Sequence, residues 1–108
     1  MRIVKMQYAN YHGYSDIHPY EVVKKISEKT LEIREMNAEQ DPTWTPKWEQ
    51  GGFAGHCANS AEQRWIITND DNLRTLRIRL HKDGVWRDRY GSKYRLSEKP
   101  RRFYDYNF

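Results

Sequence analysis

One hundred and eight residues are enough for one domain with a thin core. Hydrophobic residues make up only 37% of the chain, yet four Trp and eight Tyr bring the aromatic share to 14%, which excludes a disordered polyampholyte and implies a core built largely from rings. The net charge of +4 is unevenly placed. Residues 73–108 carry eleven Lys or Arg against four Asp or Glu, a net +7, and residues 1–72 carry a net −3. A basic C-terminal half suits an anionic partner such as nucleic acid, a nucleotide or an acidic protein surface, and equally suits a small β-protein kept soluble by solvated cations. Cys57 is the only cysteine, so no intramolecular disulfide forms and a reducing compartment is expected. No apolar run is long enough to span a membrane, and the N-terminus lacks the apolar centre of a signal peptide.

Arg2 to Met6 reads as a first strand. Tyr8, Tyr11 and Tyr14 recur every three residues, as one face of a helical turn, a stacking ladder for bases, or rings folded back over the core. Gly13 and Ser15-Asp16 argue for a loop. Tyr20 to Ile26 and Thr30 to Met36 read as a hairpin turning at Glu28-Lys29, with Tyr20, Val22 and Ile26 on one face and Val23 on the other. A helix over 19–34 is the rival reading, disfavoured by the Ser27–Thr30 break and the β-branched flanks. Asn37 to Gly52 reads as a long polar connection anchored by Trp44 and Trp48. Gln63 to Thr68 is a further strand, joined by an Asn69–Asn72 turn to the next element.

That element, Leu73 to Tyr90, is the clearest signal in the chain. Leu76, Ile78 and Leu80 alternate with Arg77, Arg79 and His81, a period of two that gives a strand one apolar and one basic face. Asp83-Gly84 is a hairpin signal, and Val85-Trp86 starts the return strand. A short strand at Lys93 to Leu96 follows. The aromatic end, Phe103 to Phe108, reads as a last strand that closes a barrel. Short strands separated by turn signals predict a mainly-β fold, a small SH3-like or OB-like barrel of antiparallel strands, with an α+β fold as the alternative if residues 8–16 or 19–34 are helical. The whole of 1–108 is expected to be a single domain.

Catalytic patterns are weak. His56 and Cys57 are adjacent and so point to opposite faces of a strand, which suits neither a thiol–imidazole pair nor a zinc site. His12 and His18 with a distant third ligand are the remaining metal candidates. No phosphate-binding glycine loop and no nucleophile elbow is present. The chain therefore reads as a non-enzyme without cofactor or metal. The stronger signal is basic and aromatic interleaving: Arg77, Arg79, Lys82, Trp86, Arg87, Arg89, Tyr90 and Lys93 form the expected binding face, with Trp44 and Trp48 as loop anchors. Arginine supplies phosphate contacts and aromatic faces stack on bases, although Arg stems packed over rings produce the same composition.

The blocks YSDIHPYEVVKKISEKTLEIRE, GGFAGHCANSAEQRW, IRLHKDGVWR and PRRFYDYNF, taken in order, resemble a family of small bacteriophage and prophage accessory proteins. The resemblance covers residues 14–108. It implies a compact protein acting in the host bacterial cytoplasm, and carries over no catalytic or binding residue. Its implied role is that of a binding protein that blocks a host nucleic-acid-processing or defence complex, as anti-CRISPR inhibitors do. The partner is then a host protein or nucleoprotein complex. Direct DNA or RNA binding by the basic hairpin is the alternative, and sequestration of a nucleotide between the Trp44/Trp48 loop and the Tyr8–Tyr14 segment is a third. A membrane partner is not expected.

Overall fold

A computed structural model of the chain describes residues 7–51 and 54–106, and the expected strand at Arg2 to Met6 lies outside them. Among the described residues the strands are β1 (Tyr8–His12), β2 (Ile17–Ser27), β3 (Thr30–Glu35), β4 (Asn37–Gln40), β5 (Trp48–Gly51), β6 (Ala54–Cys57), β7 (Trp65–Thr68), β8 (Thr75–Leu80), β9 (Trp86–Arg87) and β10 (Lys93–Ser97). The helical content of these residues is a single 3-10 turn at Ser60–Glu62, so the helical alternatives for 8–16 and 19–34 fall. The fold is a small mainly-β barrel. Six strands close it in the order β1-β10-β9-β8-β3-β2, antiparallel throughout, with β1 pairing both β10 and β2. No helix among the described residues is long and apolar enough to cross a membrane.

Period-two alternation explains which side chains fill the barrel. Leu31 and Ile33 on β3 and Ile78 on β8 point inward with Ala9 and Tyr94 to form the buried cluster, ringed by Tyr11, Tyr20, Val22, Leu76, Trp86 and Leu96. Tyr94 meets Tyr11 at 5.7 Å and Tyr20 edge-on at 5.4 Å between ring centroids. Rings therefore supply volume that a chain poor in aliphatics lacks. Truncating Ile33 or Ile78, both fully buried, would cost about 2–5 kcal/mol in transfer and cavity energy. Asn10, buried on β1, donates from Nδ2 to Ser97 Oγ at 2.7 Å and accepts the Arg101 N–H at 2.9 Å. Its amide is paired on both sides and ties the segment after β10 back onto β1.

Several expectations are corrected. Tyr8 and Tyr11 lie in strand β1, and Tyr14 sits in the turn beyond it, so the three tyrosines share no face. Two bulges, between Val22 and Lys24 and between Lys25 and Ser27, break the register of β2 against β3. An inserted residue flips the alternation, so Val22 packs on the core while Ile26 is exposed and no longer shares its face. The span 37–52 is not one long loop: β4 pairs with β7, and β5 pairs with β6. Consequently β7 is not a sheet neighbour of β8, and the 69–72 turn joins two different sheets.

The expected last strand is not formed among the described residues 103–106, and this segment does not join the barrel. It makes one bridge, in which Ile17 and Phe103 exchange backbone hydrogen bonds of 2.9 and 3.0 Å. Beyond it the chain latches the barrel to the β4–β7 and β5–β6 ribbons. Gln63 brackets Tyr104, donating from Nε2 to its carbonyl at 2.9 Å and accepting its N–H at 2.8 Å. Arg102 lies over the Trp65 ring at 4.9 Å, and Tyr106 packs against Trp44 and Trp48 at 5.6 and 6.2 Å.

Candidate nucleic-acid interface

Strand β8 presents what its alternation dictates: Leu76, Ile78 and Leu80 turn inward, and Thr75, Arg77 and Arg79 turn to solvent. The neighbouring registers extend this basic stripe across the barrel wall. Arg79 stands opposite Arg87 on β9, Arg87 opposite Lys93 on β10, and Lys93 opposite His12 on β1. Directly opposed residues of an antiparallel pair share a face, so these four side chains form one transverse row. At about 4.8 Å per strand, the row runs roughly 14 Å around the wall.

A depression with a cavity volume of about 860 Å³ lies beside the row, lined by Arg77, Arg79, Arg87 and Arg89 against the carboxylates Glu32 and Asp88. Both carboxylates are engaged by hydroxyl donors: Thr75 Oγ1 donates to Glu32 at 2.6 Å, and Tyr94 Oη donates to Asp88 at 2.9 Å. A second depression, about 610 Å³, is lined by His12, Lys93 and Arg95. Among the described residues Arg77, Arg79, Arg89, Lys93 and Arg95 make no ion pair. Arg87 does: its guanidinium forks onto Asp83 at 2.8 and 3.1 Å, which aims it along the wall and holds the Asp83 carboxyl down to about 2, helped by the Val85 N–H. Burial, with Arg95 and Arg101 nearby, lowers the His12 pKa below its ordinary value of 6.5. His18 is lowered by burial and then by Arg102.

The two hairpin loops of this wall share one geometry. His81 N–H bonds to Val85 O and Gly84 N–H to His81 O; Asp88 N–H bonds to Ser92 O and Gly91 N–H to Asp88 O. Each three-residue loop ends on a glycine with positive φ, +80° at Gly84 and +87° at Gly91, where a Cβ would be strained. Asp88 organises the second loop, accepting the Tyr90 N–H at 2.9 Å and the Ser92 N–H at 3.0 Å on one oxygen and Tyr94 Oη on the other. Burial and that bond to Asp88 raise the Tyr94 pKa, so the phenol stays a donor. The loop tip lifts Tyr90 into solvent, 81% exposed, with Arg89 at 5.2 Å from its ring centre.

Of the residues expected to bind, Arg77, Arg79, Arg87, Arg89 and Tyr90 line one depression, and Lys93 continues the row beside it. Lys82 is exposed in the loop at the opposite end of β8. Trp86 is not on this face: it stands opposite Leu80 and packs against the core. Trp44 and Trp48 belong to the Tyr106 cluster, Trp44 buried and Trp48 exposed. Sequence reading singled out His12 only as a metal candidate and missed Arg95 and Asp88. Only Asp88 had a local signal, since Asp at the first and Gly at the fourth position mark a type I turn. His56 is exposed and Cys57 buried near Asn59, whose Oδ1 lies 3.4 Å from the thiol. Among the described residues no group of three His, Cys, Asp or Glu side chains is placed to hold a metal ion. No family model, no curated protein and no solved structure matches the chain.

Proposed function

We propose that the protein binds nucleic acid through the outer wall formed by β8, β9, β10 and β1, as a binding protein with no reaction of its own. The observation that carries this reading is the row Arg79, Arg87, Lys93 and His12. Like charges set directly opposite destabilise a strand pair, and this row repeats the arrangement on adjacent strand pairs. A polyanion lying across the row turns that repulsion into attraction. The phosphates it meets release counterions as they are neutralised. The row spans the rise of roughly four nucleotides of a stacked strand, at about 3.4 Å each.

A block on a host nucleic-acid-processing or defence complex is compatible with the same wall, which would occupy the nucleic-acid path of such a complex. Nucleotide sequestration has less support, because Trp44 is buried against Tyr106 and cannot close over a ligand. The test is a mobility-shift titration with labelled oligonucleotides from low to physiological salt. A complex is expected at low salt, with log affinity falling linearly in log salt at a slope of about −3 to −4 for four to six single-strand phosphate contacts. The absence of any complex at low salt would discard the reading.

A further inference from the structure

We propose that the nucleic acid recognised is single-stranded, with Tyr90 and Tyr14 as stacking platforms at one rim of the barrel. This inference rests on the nucleic-acid reading above and names its substrate class. The registers put both tyrosines at the same end. Arg87 ends β9 and Lys93 begins β10, so the loop carrying Tyr90 caps that hairpin. His12 ends β1 opposite Lys93, so the turn carrying Tyr14 caps the adjacent hairpin, β1 with β2. The two loops are therefore about two strand spacings apart, roughly 10 Å. Lys93 and His12 lie between them. Arg101 lines a small depression with His12, Asp16 and Tyr14, which places one cation and one carboxylate beside the second ring.

The exposure of Tyr90 is built into its loop. Tyr90 is 81% and Tyr14 92% exposed, whereas Tyr11 and Tyr94 on the strands below are packed into the barrel. Three hydrogen bonds to Asp88 and the turn at Gly91 hold the Tyr90 loop in one shape. Arg89 sits at the Tyr90 ring, a cation–π contact that orients it. An aromatic ring held beside phosphate-binding cations is useful to a strand whose bases are unstacked and idle against a duplex, whose bases already stack on each other.

The discriminating experiment uses the full chain and fluorescence anisotropy at about 50 mM salt. The probes are labelled oligothymidylate of about 15 nucleotides, the same strand in duplex with oligoadenylate, and an abasic strand of equal length. The single strand is expected to bind at least about ten-fold more tightly than the duplex. Tyr90→Ala should weaken the single strand about five- to a hundred-fold and leave the abasic strand unchanged, while Tyr90→Phe, which keeps the ring, retains affinity. An unchanged thermal melt of Tyr90→Ala would show that the fold is intact. Equal affinity for single strand and duplex, or a Tyr90→Ala loss as large on the abasic strand, would overturn this inference and leave the nucleic-acid reading standing. No binding to any probe would remove both.

Discussion

On β2 and β3 the register sets Glu21 opposite Arg34 and Lys24 opposite Glu32; on β8, β9 and β10 it sets Arg79 opposite Arg87 and Arg87 opposite Lys93. The first wall sets opposite charges face to face. Arg34 bonds to Glu21 and reaches Asp71 at 2.9 Å, and so fastens the 69–72 turn to the barrel. The second wall is open, with one arginine held by Asp83 and its neighbours Arg79 and Lys93 in no ion pair among the described residues. The same barrel thus uses the same residue types in two ways. Where charge pairs are complementary, arginine serves the fold. Where they are alike, it works against the fold, and an external anion is the partner that makes sense of it.

The comparison can be broken most severely by emptying the open wall. The triple variant Arg79→Ala/Arg87→Ala/Lys93→Ala should lose on the order of a hundred-fold in affinity at low salt, and its salt slope should flatten by about 2. Its thermal midpoint should change little, because relieved like-charge pairs, worth about 0.2–1 kcal/mol each, offset the loss of the Arg87–Asp83 fork. Anisotropy and a thermal melt on one preparation check both. A variant that bound normally, or that unfolded, would equate the two walls.

Arg34→Ala should do the reverse. Side-chain exposures of 18% for Arg34 and 13% for Glu21 make this a largely buried pair, so losing one member costs about 1–3 kcal/mol. Denaturant titration should show that loss, while nucleic-acid affinity measured well below the melt stays within about two-fold, since Arg34 lies off the open wall.

The smallest effect sharpens the comparison through pH. His12 and His18 have pKa values lowered in the folded chain. As pH falls through 6.5 the unfolded chain takes up protons first, so stability declines, and the decline levels off below the lowered folded values. Binding carries the opposite sign. A phosphate beside His12 favours the imidazolium, so affinity should rise a few-fold, by roughly 2 to 5 times, between neutral and mildly acidic pH. His12→Ala should flatten that rise. An unaltered pH profile in the variant would take His12 out of the row.

Much of this was legible along the chain. The alternation of Leu76, Ile78 and Leu80 with Arg77 and Arg79, the turn at Gly84 and the mainly-β barrel all follow from contacts within a few residues, where period and turn chemistry act locally. Other features were not local. The flip of Ile26 to solvent depends on bulges set by pairing against β3, and the β4–β7 ribbon joins segments on either side of β5 and β6. Among the described terminal residues Tyr106 packs against Trp44 and Trp48, Tyr104 stays largely exposed, and the expected strand is not formed over 103–106. Gln63 holds Tyr104 from a segment read as a strand, and Trp44 meets Tyr106 from one read as connection, and neither contact is signalled by local pattern.

The basic wall divides in the same way. Composition and alternation by themselves determined that residues 73–90 would form a hairpin with one cationic face. That face became a row only when closure of the barrel brought His12, near the start of the chain, against Lys93, near its end. Its one expected tryptophan, Trp86, went inside because it pairs with Leu80 on the core side. A period of two says which residues share a face. Which faces adjoin is decided by hydrogen-bonded pairing between strands distant in sequence, and that pairing is tertiary structure.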